Sequence, residues 1–185
     1  MSTILYQWHG NLFCMEGMWT RFFPAVEKAR SLALGSSGGS NKGVIGEVVQ
    51  VHSYFNFNAS DSEHYPSSFV YNHDLGGGAS MLVAPYPIAA ATLFFNGVKP
   101  DSIKAVGQLD VATGVDLQGT AILNFPPTGD LSPVLDSTTE ESTPKLPGAG
   151  AATLSFGILG ESEEETLVLG TKGRIKICTP GHCPT

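Results

Sequence analysis

The stretch NHDLGGGASMLVAPYPIAAATLFFNG, residues 72–97, sets Gly76, Gly77 and Gly78 ahead of an apolar, helix-forming run. Three kinds of chemistry suit such a segment. It could cradle phosphate on backbone N–H groups, open a helix as a plain packing turn, or support catalytic side chains. A dinucleotide loop needs G-x-G-x-x-G directly after a strand, with an acidic residue about 20 positions later. Here the glycines follow the polar segment YPSSFVYNHD, and no strand feeds them. Nor does the chain contain G-x-x-x-x-G-K-[ST]. A packing turn is physically sufficient: Asp74 helps open a helix, and the glycines permit close approach.

Cysteine chemistry is the other possibility, at Cys14, Cys178 and Cys183, with His182 beside the last. The spacing of Cys178, His182 and Cys183 matches no zinc pattern with a second ligand pair, so no metal is expected. Reduced, mostly buried thiols suit a reducing compartment, the cytoplasm or an organelle interior.

The elements that must position these residues come from one domain's length of chain. The sequence has 185 residues, 42% hydrophobic and only 15% charged, which implies a folded unit with a real core. A net charge of −7 argues against nucleic acid, and the ten Lys and Arg residues form no basic stripe. No window approaches the ~20 apolar residues of a membrane span. The first residues, MSTILYQWHG, lack the charged start of a signal peptide.

NLFCMEGMW (11–19) has strand character, and PAVEKARSLAL (24–34) reads as a helix with Pro24 in its first turn. GSSGGSNKG (35–43) is a flexible loop. GEVVQVHSYFNFN (46–58) alternates as a long strand, with Val49, Val51, Ser53, Phe55 and Phe57 on its greasy face. Residues 78–95 form one or two helices, with a break near 84–87 at Pro85 and Pro87. Strands follow at 102–111, 115–125, 151–160 and 165–178, the last folding at GTKG (170–173) as a hairpin. Residues 126–150 read as an exposed loop. The expected fold is α+β: a predominantly antiparallel open sheet with helices 24–34 and 78–95 on one face.

Several blocks in order carry a resemblance: LFCMEGMWTRFFPAVEKAR, IGEVVQV, LGGGASMLVAPYPIAAATLFFNG, GVDLQGTAILNF, LVLGTKGRIKI and HCPT. Together they resemble the Gfo/Idh/MocA oxidoreductase family, nearest its dimeric dihydrodiol dehydrogenases, which also oxidise D-xylose with NADP. The resemblance implies a C-terminal-domain-like chain: residues 1–10 unmatched, 11–34 a remnant of the last βα unit of a cofactor domain, and 44–185 a substrate and oligomerisation domain. It also implies that the glycines open a helix bringing catalytic groups up to a nicotinamide. Against the family pattern G-G-G-A-x-x-D-x-G-x-Y-P, Gly76, Gly77, Gly78, Ala79, Tyr86 and Pro87 match. Leu82 stands at the aspartate position and Ala84 at the second glycine.

Tyr86 is thereby a candidate proton donor and acceptor, and Trp19 and Arg21 fall in the family's substrate-pocket stretch. A packed indole and a surface guanidinium are the plain alternatives for the last two. A phenol, titrating near 10, needs a nearby cation at neutral pH. The family's Glu-Lys-Pro lysine has no counterpart here. The expectation is a truncated relative of an NADP-dependent dihydrodiol or sugar dehydrogenase that binds no cofactor by itself and serves as a structural or accessory subunit. A piece of an active dehydrogenase and a sugar or diol binding module are the alternatives. Its partner, a second copy or a larger assembly, would sit on the open sheet face, with apolar residues expected on both faces of several strands.

Overall fold

A computed structural model describes residues 15–35, 43–60, 65–126 and 150–179. Its six strands are β1 (Val48–Asn56), β2 (Ser102–Leu109), β3 (Asp116–Phe125), β4 (Gly150–Gly157), β5 (Thr166–Gly170) and β6 (Arg174–Ile177). They form one sheet in the order β2-β3-β4-β1-β5-β6. Only β1 and β4 run parallel, joined by pairs such as Val51↔Ala152 and Phe55↔Phe156; the remaining neighbours are antiparallel. The alternation in β1 sets its two faces, with Val51 and Ser53 buried and Tyr54 turned outward. At the β5–β6 hairpin the Gly170 amide donates to the Gly173 carbonyl at 2.8 Å. The α+β, largely antiparallel expectation holds.

Helix α1 (Pro24–Leu34) starts on a proline, whose missing N–H costs nothing in a first turn, and buries Val26, Ala29 and Ala33. Two helices occupy 78–95: a single turn, α2 (Ala79–Leu82), and α3 (Pro85–Phe94). The break falls at Val83 and Ala84. There the Ala84 amide reaches back five residues to the Ala79 carbonyl, and the Tyr86 amide bonds Val83. Pro85 therefore opens α3 at its first position.

The helices lie on one face of the sheet. Val26 and Ala29 of α1 and Phe94 of α3 pack with Val51, Leu154 and Val168 in one cluster. Val83, Val115 and Ile158 form a second beneath the glycine turn, with Phe55 and Phe156 against it. Edge strand β2 is left bare on both sides: every residue of it is exposed, Ile103 by 59% and Leu109 by 63%.

The opposite face is more polar than expected. On β3 it carries Gln118, Thr120, Ile122 and Asn124, and on β1 Gln50, His52 and Tyr54. Cross-strand amides bond there: Gln118 to Gln108 at 3.1 Å, and Asn124 to Ser102 at 2.9 Å. Apolar side chains on both faces is thus a correction for β1 and β3, while Ile122 (47% exposed) and Val106 (77%) supply an apolar patch. The expectation failed because alternation separates two faces but does not make the second one apolar.

The described part of the 11–19 run contains no strand; Trp19–Phe22 forms a 3-10 turn leading into α1. Cys14, His182 and Cys183 lie outside the described residues, as do residues 36–42 and 127–149 of the two expected loops. Cys178 is a free, exposed thiol. No single helix among the described residues is long and apolar enough to cross a membrane.

Candidate functional site

Each glycine of the turn has a separate structural reason. Gly76 closes a short 3-10 turn, His73–Leu75, in the left-handed conformation at φ 75°. A Cβ on Gly77 would stand 2.6 Å from the Phe69 and Val70 carbonyl oxygens. Gly78 has φ 106° and ψ 159°, a region essentially reserved for glycine. Their amides are already used: Gly76 donates to His73, Gly77 to Asn72 and Gly78 to Val70, at 2.8–3.0 Å.

The start of α2 is occupied as well. The Ser80 amide donates to Asp116 Oδ2 at 2.7 Å, and the Ser80 hydroxyl donates to Asp116 Oδ1 at 2.9 Å. A carboxylate from β3 thus satisfies a helix start that has no cap of its own. This corrects the role given to Asp74, whose side chain is 98% exposed. The 3-10 turn that holds it is capped by Asn72, which accepts from the Leu75 amide. With its amides spent and a carboxylate in place, this loop does not fit a dinucleotide phosphate.

What the turn does is aim α3. The fixed turn and the break at Ala84 set Tyr86 on the first turn of α3, half-buried over the sheet. Its ring stacks on Phe55 of β1 with centroids 4.7 Å apart and 15° between planes. Its hydroxyl accepts a hydrogen bond from Trp19 Nε1 at 3.1 Å. Trp19 is braced edge-on by Phe23, 5.3 Å away at 67°. Residues 67 positions apart are thereby joined.

Arg21 and Tyr86 line one cleft with Ser53, Phe55, Glu164 and Thr166. The Ser53 and Thr166 hydroxyls bond each other at 2.8 Å in its buried floor. The enclosed space is about 40 Å³, enough for a few waters. Trp19, hydrogen-bonded to the Tyr86 that lines this space, is 47% exposed. The cleft can offer an aromatic face, a phenol and a guanidinium, a set suited to polyhydroxylated rings.

Asp110 organises the β2–β3 turn beside the glycine loop. The Thr113 hydroxyl donates to it, as does Tyr65, and these bonds hold its carboxyl below the usual range against partial desolvation. Burial, with the nearby Asp110 charge, pushes the Tyr71 phenol up. Tyr71 donates to the Ala59 carbonyl at 2.8 Å.

The structure thus brings Arg21 and Tyr86 to one cleft, ties Trp19 to Tyr86 by a hydrogen bond, and sets the three glycines as support for α3. Phe55, Ser80 and Asp116 were missed. Asp116, an acid at the head of an apolar strand in GVDLQGT, was the available signal.

Residues 40–176 match the GFO/IDH/MocA C-terminal domain. The chain belongs to the GFO/IDH/MocA family. Among its relatives is the trans-1,2-dihydrobenzene-1,2-diol dehydrogenase of Xenopus tropicalis, 30% identical over 175 residues, covering 95% of this chain and 43% of that enzyme. The human enzyme of the same name is 30% identical over 174 residues, covering 94% and 42%. This GFO/IDH/MocA chain therefore spans less than half the length of these relatives.

Solved structures agree on the fold. A 3-ketoreductase mutant from Actinomadura kijaniata, in complex with TDP-benzene and NADP, superposes with a TM-score of 0.65 at 22% identity, covering 94% of this chain and 43% of that one. A scyllo-inositol dehydrogenase from Lactobacillus casei, with bound NAD(H) and scyllo-inositol, gives 0.62 at 20%, covering 95% and 45%.

Proposed function

We propose that this chain is the substrate-binding and subunit-pairing half of an NAD(P)-dependent dehydrogenase of vicinal diols or sugars. We further propose that by itself it is an accessory subunit without turnover. The observation that carries the first part is the Trp19–Tyr86–Phe55 assembly, drawn from three distant segments, whose Tyr86 and Phe55 line one cleft with Arg21. Tyr86 would hydrogen-bond a ligand oxygen, Arg21 would donate to a second, and the exposed indole would pack against ring C–H groups. The names of the dihydrodiol dehydrogenases support the substrate class. Leu82, in place of the pattern's aspartate, favours the accessory role.

Calorimetric titration with trans-cyclohexane-1,2-diol tests the cleft. Tyr86→Phe should weaken binding roughly fivefold, the loss of one ordinary hydrogen bond, and equal affinity in both proteins would refute the assignment. NADPH fluorescence should show no saturable binding by this chain in the micromolar range; a clear isotherm there would refute the accessory reading.

The pairing surface is the open face. A protein interface as a whole is only about 56–58% apolar, so mixed Gln, Thr, Ile and Val is compatible with one. The residues facing outward there include Ile122, with Lys104 directly across on β2. Ile122→Lys would set two cations side by side. Light scattering at low micromolar concentration should find an oligomer for the native chain and a shift to monomer for Ile122→Lys. A native monomer, or an oligomer indifferent to this change, would remove the pairing role.

A further inference from the structure

We infer that Trp19 is a positioning residue that acts through Tyr86. The inference rests on the diol-site reading of the cleft. The indole N–H is a donor only, so the 3.1 Å contact from Trp19 Nε1 to Tyr86 Oη has one possible direction. It takes a lone pair of the phenol oxygen. The phenol's own proton then cannot point back at Trp19.

The two rings have little freedom to escape this arrangement. Phe55 lies flat against Tyr86, 4.7 Å away, and Phe23, where the chain enters α1, holds Trp19 edge-on at 5.3 Å. The remaining swing of the hydroxyl proton is toward the cleft. Arg21 lines that cleft and has only donors to offer. A ligand oxygen between them can therefore accept from both, and Tyr86 meets it with its proton turned into the cleft. Trp19 sets that orientation without needing to touch the ligand.

The test uses the full chain labelled with ¹⁵N at its two indoles, Trp8 and Trp19, with Trp8→Phe assigning the signals. Tyr86→Phe should move the Trp19 indole proton upfield, toward the position of a water-exposed indole. Titration with trans-cyclohexane-1,2-diol then reads the consequence. Trp19→Phe, which keeps an aromatic ring there, should weaken binding by about two- to fivefold in the native background, no more than loss of the Tyr86 hydroxyl itself. In the Tyr86→Phe background it should cause no further loss.

A Trp19 resonance indifferent to Tyr86→Phe would overturn the contact. Equal losses in both backgrounds would overturn action through Tyr86 and leave Trp19 as a wall of the cleft. If the diol binds no form, the cleft reading and the positioning role fall together, and the resonance alone still decides the hydrogen bond.

Discussion

Replacing Phe94 by alanine is expected to lower the unfolding free energy by about 3–5 kcal/mol, the usual cost of emptying a buried aromatic site. Phe94 is 1% exposed, lies at the end of α3, and joins α1 and α3 to the central strands in one cluster. It also borders the cleft, so the cavity would open directly behind the site. Loss on this scale consumes a large part of a typical domain's 5–15 kcal/mol. For a chain of this size it corresponds to roughly a 10 °C fall in Tm. Urea unfolding checks the value. A change below about 1 kcal/mol would mean that α3 is not seated on the sheet as described.

Gly78→Ala should be nearly as damaging, although it adds one methyl group. Its φ of 106° and ψ of 159° place it where side chains other than hydrogen cost about 1–3 kcal/mol. The new Cβ would also come within 2.4 Å of Asp116 Oδ1. Displacing that carboxylate removes the cap on α2, a further loss of about 1 kcal/mol. The combined destabilisation is expected near 3 kcal/mol. A double-mutant comparison separates its parts. Adding Asp116→Ala to Gly78→Ala should cost less than Asp116→Ala does in the native chain, because the cap is already broken. Full additivity would show that the two residues do not meet.

The sheet was largely legible because each strand announces itself locally. Alternation in VVQVHSYFN fixes which residues of β1 enter the core, and the glycines of GTKG mark the β5–β6 hairpin. Pro85 marked the break between α2 and α3, since a proline costs least at the first position of a helix. Contacts between distant segments were not legible. Asp116 meets Ser80 across 36 residues, and no local pattern at either end specifies the other. The same holds for Phe55, which reads as one more apolar residue of a strand until α3 lays Tyr86 over it. The bare flanks of β2 depend on how far the helices extend across the sheet, a packing property that periodicity in SIKAVGQL does not contain.

The site residues came from resemblance, and the geometry adds why they belong together. The glycines that might have held phosphate are committed to a turn, the turn aims α3, and α3 brings Tyr86 to Trp19. A ¹H–¹⁵N shift map of the chain titrated with trans-cyclohexane-1,2-diol tests this account most directly. The largest changes are expected at the Trp19 indole and at the amides of Arg21, Phe55 and Tyr86, with the amides of Gln118, Thr120 and Ile122 unmoved. Changes centred on Gln118, Thr120 and Ile122, or none at millimolar diol, would contradict it.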